Sequence, residues 1–240
     1  MRLNGVEIKV SLSDRGAVRA VELLELGGKG EPRSVGFIED ITVGVKLPLF
    51  HQGVVLRVRE IEDGDDDATV KLRPCRRSQL AESWLGAEKG DGWKLRVEED
   101  WAGTRRTLAA SCVADLPSRR IAAVREGKEP VGRLFSGAQL RFLSDCAGMP
   151  INPDALTLLP PIAATRWEEV RVREVADVVV ERWTVGKLDF LELSIRKDTV
   201  EEAREAQAEL DGAVRSLGLE RDDEQSKTER VLAHLAGLEP

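Results

Sequence analysis

The chain of 240 residues has no tyrosine, only three cysteines and two histidines, and no apolar run of about 18 residues, the length a membrane-spanning helix needs. Each shortage removes a class of function. Without a long apolar run, no transmembrane helix is expected. Cys75, Cys112 and Cys146 are far apart and odd in number, which gives neither a metal-ligand spacing nor a disulfide framework. The N-terminal Met1-Arg2-Leu3-Asn4-Gly5 lacks the basic and apolar regions of a signal peptide. A reducing, cytoplasmic location is therefore expected. His51 and His234 are isolated, which argues against a histidine metal centre or a histidine-based triad. Five phenylalanines and five tryptophans are scattered, a thin supply of stacking platforms for a sheet that reads nucleic acid. The net charge of −7 gives no bulk attraction to nucleic acid or to an anionic membrane. Any basic site has to be local and enclosed.

What the chain does have is charge alternating with apolar residues in short strand-like runs. Residues two apart on a strand share a face. In Leu56-Arg57-Val58-Arg59, that rule puts both arginines together, and in Thr69-Val70-Lys71-Leu72-Arg73 it pairs Lys71 with Arg73. Glu7 shares a face with Lys9, Glu98 and Asp100 with Lys94 and Arg96, and Glu192 with Ser194 and Arg196. Converging, such faces would form a cationic concavity rimmed by carboxylates, which suits a polyphosphate. Arginine offers a fork to two phosphate oxygens and lysine a point charge. Carboxylates face a phosphate only when a hard cation such as Mg²⁺ or Mn²⁺ stands between them. Taken singly, each strand reads as the solvated face of an antiparallel sheet, and periodicity does not say which faces point inward.

Strand-like runs cover 6–12, 34–41, 53–60, 68–74, 93–101, 106–115, 158–167, 175–184 and 188–195. Helical spacing is read over 17–26, 118–126, 136–146, 199–217 and 227–238. Thr199 is a fair N-cap with Glu201 and Glu202 in the first turn. The acidic cluster Asp63-Gly64-Asp65-Asp66-Asp67 reads as a solvated hairpin turn, because it lacks the remaining oxygen ligands of a calcium loop. No regular strand–helix–strand alternation is present. That predicts one α+β domain over 1–240, antiparallel or barrel-like, whose helical segment 199–240 covers an opening or an edge.

Several runs carry a resemblance. Val6-Glu7-Ile8-Lys9 looks like the end of a Glu-x-Glu-x-Lys strand, Gly53 to Arg59 like an Arg-x-Arg strand, and Thr69 to Pro74 like the basic strand after it. Val97-Glu98-Glu99-Asp100 matches a central acidic strand. Leu134-Phe135-Ser136 with Gln139 and Arg141, then Leu159-Pro160-Pro161-Ile162 and Arg166, follow in the order of one bacterial branch. Val180 to Trp183 and Leu191 to Ser194 resemble its closing hairpin, and Gln225 to Thr228 its tail. In this order the motifs resemble CYTH-domain proteins of the triphosphate tunnel metalloenzyme superfamily over most of the chain.

The resemblance implies an eight-stranded antiparallel β-barrel, a tunnel with flanking helices. It implies a triphosphate-bearing or nucleotide ligand with Mg²⁺ or Mn²⁺, while the charge, the lack of long apolar runs and the scattered aromatics argue against a membrane or nucleic-acid partner. Lys9, Arg57, Arg59, Lys71, Arg73 and Arg166 would hold phosphates. Glu7, Glu98, Glu181 and Glu192 would hold the metal, with Asp100 and Arg196 as weaker candidates. Lys9, Glu7 and Glu192 would carry the chemistry, Lys9 through proton transfer. The implied activity is hydrolysis of inorganic triphosphate, thiamine triphosphate or a nucleotide. Class IV adenylate cyclase chemistry and a non-catalytic polyphosphate- or nucleotide-binding module are the alternatives. Two departures bear on catalysis: Gly5 replaces the first acid of the N-terminal motif, and Ser194 the second acid of the closing strand.

Overall fold

The alternation at the N-terminus sets the plan of the molecule. In β1 (Val6–Ser13), Val6, Ile8, Val10 and Leu12 are buried while Glu7, Lys9 and Ser11 are intermediate. The apolar set packs outward against helices, and the charged set lines the inside. The structure is a computed structural model that describes residues 3–28, 30–42, 46–62, 64–86, 89–222 and 226–238. Met1, Arg2, Asp63 and Gln225, singled out above, lie outside the described residues.

After β1 come α1 (Arg15–Leu23), β2 (Glu31–Glu39), α2 (Pro48–His51), β3 (Val54–Ile61), β4 (Asp67–Leu72) and α3 (Glu82–Leu85). The middle of the chain forms β5 (Lys89–Gly90), β6 (Trp93–Ala102), β7 (Arg105–Asp115), α4 (Arg120–Arg125) and α5 (Gly137–Cys146). It closes with β8 (Thr157–Leu158), β9 (Ile162–Val172), β10 (Val175–Val185), β11 (Leu188–Lys197), α6 (Val200–Ser216) and α7 (Lys227–Leu235). Among the described residues no helix is long and apolar enough to cross a membrane.

The sheet runs β1-β11-β10-β9-β2-β3-β4-β7-β6 and closes because β6 pairs back onto β1. The wall therefore has nine strands where eight were expected, since all nine strand-like runs enter it. The count has a geometric consequence. Strands that alternate in direction around a ring can close antiparallel throughout only if their number is even. With nine, two neighbours must point the same way. The parallel pair is β1–β6, with Glu7 opposite Asp100 and Lys9 opposite Ala102, while the other eight pairings of the ring are antiparallel. The strand expected to run to Pro74 ends at Leu72, because proline has no N–H for the ladder.

Two of the three apolar clusters lie outside the barrel, and the third closes in on its interior, where Phe37, Phe50, Val55 and Trp183 line the cavity. The outer faces of β1, β10 and β11 pack on Ala203, Ala206 and Leu210 of α6 and on Ala17 and Ala20 of α1. Those of β3, β4, β6 and β7 pack on Trp84, Ile121 and Phe142. A smaller cluster joins Phe37, Trp183 and Phe190 to Val231 and Leu232 of α7. Two helix starts are fixed by reciprocal capping, Ser136 with Gln139 and Thr199 with Glu202. Gln139 is fully buried and also donates its Nε2 to the Ala68 and Cys112 carbonyls at 2.8 and 3.0 Å, which ties α5 to β4 and β7. Burial pushes the Cys75 thiol up to about 11 and the Cys112 thiol to about 12, so both are inert packing groups at neutral pH.

Candidate functional site

The interior holds two communicating compartments of about 260 and 610 Å³. Lys9, Arg57, Thr69, Lys71, Glu181 and Glu192 line both, at the waist. Every residue of the expected phosphate and metal sets lines one compartment or both. Arg73 faces the narrower one, and Glu7, Arg59, Glu98 and Arg166 face the wider one. The charge is uneven. Six cationic side chains and two carboxylates line the narrow compartment, against nine cations and six carboxylates in the wide one.

Barrel closure sets the local partners. Lys9 Nζ lies 2.7 Å from Glu7 Oε2 and 3.8 Å from Asp100 Oδ1. The Asp100 side chain is fully buried, and its Oδ2 lies 3.1 Å from Lys71 Nζ and 3.0 Å from Arg73 Nε. Arg196 Nη2 reaches Glu7 Oε1 and Glu98 Oε1, each at 3.3 Å. One ligand oxygen from each of Glu7, Glu98 and Asp100 lies within 4.8 Å of the others. The four carboxylates of the expected metal set are thus divided. Glu7 and Glu98 join Asp100 at the β1–β6 seam, whereas Glu181 and Glu192 oppose each other across β10 and β11. Arg59 and Arg166 are already engaged: Arg59 forms a fork onto Asp67 at 2.6–3.2 Å, and Arg166 Nε donates to Glu168 at 2.9 Å.

Among the described residues, buried polar atoms of this region that lack a hydrogen-bond partner include Arg57 Nε, Asp100 Oδ1 and Trp183 Nε1. An orphaned guanidinium N–H fits an anion and an orphaned carboxylate oxygen fits a cation. Burial, then the neighbouring Arg59, pushes the Arg57 guanidinium down to about 10. For Glu7, burial opposes ionisation, but Lys9, Arg196 and Lys71 together outweigh it and hold the carboxyl far below its ordinary range. Asp100 is also held low, burial being outweighed by Lys9, Lys71 and Arg73. For Lys9, burial is outweighed by Glu7, Asp100 and Glu192, which hold the ammonium well above its usual value.

These depressed carboxyls link folding to pH. The unfolded chain takes up protons at a higher pH than the folded one, so their contribution is complete above the unfolded carboxylate range, about 4. It is lost as the pH falls below that range toward the depressed values. The urea midpoint is expected to hold between pH 7 and about 5 and to fall steeply toward pH 3. A midpoint flat to pH 3 would mean that these ion pairs add nothing to the fold.

Some tunnel residues lay beyond the strand motifs. Lys227 opens α7, lies 3.9 Å over the Trp183 ring and sits 3.7 Å from Glu192. The tail resemblance marked its segment, but not its entry into the tunnel. Asp67, read as a turn tip, enters β4 and neutralises Arg59. Gly5 has a structural reason. It adopts φ +123°, and a Cβ there would come within 2.6 Å of the Lys197 carbonyl oxygen, so this backbone has no room for the missing acid.

No protein-family model and no curated protein matches the chain. Solved structures do. A Bacillus halodurans protein described as a candidate adenylate cyclase superposes with a TM-score of 0.61 at 15% identity, covering 95% of this chain and 97% of that one. A Hippeastrum protein, a candidate adenylyl cyclase described as having a dominant triphosphatase activity, gives 0.59 at 15% identity and covers 96% and 95%. Identity this low speaks to architecture. With the charged strand motifs facing the interior of a closed wall, the chain shares the barrel fold of these two proteins, the fold that its resemblance to CYTH-domain proteins implied.

Proposed function

We propose that this protein is a metal-dependent phosphohydrolase that binds a small triphosphate-bearing substrate in the tunnel and cleaves a phosphoanhydride bond. One observation carries the reading: the narrow compartment concentrates six cations against two carboxylates, with Arg57 Nε buried and unpartnered among them. A chain of phosphates supplies the negative oxygens such a surface lacks. Lys9, Arg57, Lys71 and Arg73 are the phosphate ligands at the waist and narrow end, and Arg59 and Arg166 extend the basic lining on the other side.

Glu7, Glu98 and Asp100 fit a hard cation, since three carboxylates converge and one buried oxygen among them has no donor. Glu181 and Glu192 form a second acidic pair that faces the waist. A bound Mg²⁺ or Mn²⁺ supplies charge neutralisation on phosphate oxygens and orientation of water. The chain's own part is electrostatic. Lys9, held cationic by its carboxylate neighbours, offers a positive charge to developing phosphate charge. A second reading, a non-catalytic polyphosphate- or nucleotide-binding module, draws support from Gly5 and Ser194, which remove two carboxylates from the motif set.

The deciding experiment offers inorganic triphosphate, ATP and thiamine triphosphate to the full chain, with Mg²⁺ or Mn²⁺ and with chelator. Metal-dependent phosphate release is expected. Cyclic AMP and pyrophosphate from ATP would move the protein to cyclase chemistry. Thermal stabilisation by triphosphate without turnover would leave a binding module, and neither signal would remove the tunnel from function.

A further inference from the structure

Glu98 is the thinly compensated carboxylate of the Glu7–Glu98–Asp100 group. Its side chain is 6% exposed, and Arg196 is the one cation within ion-pair reach of it among the described residues. Glu7 keeps Lys9 at 2.7 Å, and Asp100 keeps Lys71 and Arg73. Arg196 therefore bridges Glu7 and Glu98 with a single nitrogen, Nη2, from the strand directly beside β1. A divalent ion held by this carboxylate pair would compete for the same oxygens. Oxygens that close on Mg²⁺ or Mn²⁺ at about 2.1 Å cannot also hold a guanidinium between them, and two cations so close repel each other.

We propose that Arg196 and the divalent cation are alternative partners of the Glu7–Glu98 pair, so that Arg196 sets the threshold for ion binding and swings off the carboxylates when the ion arrives. The proposal rests on the metal-dependent reading above. Exposure makes Arg196 the cation that can move: its side chain is 50% exposed, whereas that of Lys9 is 12% exposed and lies within reach of two carboxylates. Leaving costs Arg196 two contacts that water replaces, and it frees the guanidinium at the wall of the wide compartment, where it faces incoming phosphate.

The test is a Mn²⁺ titration followed by electron paramagnetic resonance, without substrate, on the full-length chain, Arg196→Gln and Glu98→Gln. Thermal melts check that each variant folds. Arg196→Gln is expected to bind Mn²⁺ roughly fivefold tighter, the scale of two partly exposed ion-pair contacts, while Glu98→Gln binds it more weakly. Arg196→Lys, which keeps the charge, is expected to bind with an affinity close to that of the parent chain. Equal or weaker Mn²⁺ binding in Arg196→Gln would overturn the competition and leave the metal reading standing. Absence of Mn²⁺ binding from both the parent chain and Arg196→Gln would overturn both.

Discussion

Arg57→Met is expected to bind inorganic triphosphate about a hundredfold more weakly than the parent chain while folding at least as stably. The two effects have one origin. Arg57 stands at the waist of the tunnel with its Nε buried and unpartnered, and burial together with Arg59 depresses its guanidinium to about 10. Such a charge is held at a cost to the fold. Replacing a buried, poorly paired charge by an unbranched apolar side chain is commonly neutral or stabilising, here by about 1 kcal/mol. The ligand sees the opposite. Two charge-assisted hydrogen bonds to phosphate oxygens are worth about 3 kcal/mol together, or a factor of about 100 in affinity. Isothermal titration with triphosphate and urea unfolding measure both signs on one protein. Unchanged affinity would remove Arg57 from the phosphate site, and a large loss of stability would make it a structural counter-ion.

Asp100→Asn is expected to cost the fold about 3–5 kcal/mol, the penalty for removing one partner from a buried ion pair. The carboxylate is fully buried and stands among Lys9, Lys71 and Arg73. Asparagine keeps the shape and removes the charge, which leaves three clustered cations with Glu7 as the nearest anion. For a domain whose total stability is about 5–15 kcal/mol, that is a large fraction. The same imbalance predicts a rescue. Triphosphate in chelator-containing buffer is expected to raise the melting temperature of Asp100→Asn more than that of the parent chain, because the ligand then supplies the missing anion. A variant as stable as the parent would show that solvent, and not Asp100, neutralises the basic cluster.

Much of the wall was legible in the chain. The spacing of Arg57 and Arg59, of Lys71 and Arg73, and of Glu7 and Lys9 put each pair on one strand face, and all six line the tunnel. The helix at 136–146 also lies where its periodicity placed it, and that at 199–217 where its cap and periodicity did. Other features were not legible. Asp67 belongs to a Gly/Asp cluster that reads as a turn, and only pairing with β3 shows it opposite Arg59. Lys227 sits in a helix whose own period says nothing about the tunnel mouth it enters. The reason Gly5 carries no side chain is the carbonyl of Lys197, far along the chain.

Sequence by itself determined which side chains share a face, because alternation along a strand is a local property of backbone geometry. It also supplied a cationic lining with interleaved carboxylates. Tertiary structure decided that these faces point inward and which charges meet. Arg196 bridges Glu7, 189 positions away, and Glu98, 98 positions away, because nine alternating strands close only through one parallel seam. That seam lays β1 on β6 and draws the Glu7, Glu98 and Asp100 carboxylates together. Periodicity within a strand carries no record of which strand will lie beside it, so the charge constellation belongs to the closed barrel and to no segment of the chain.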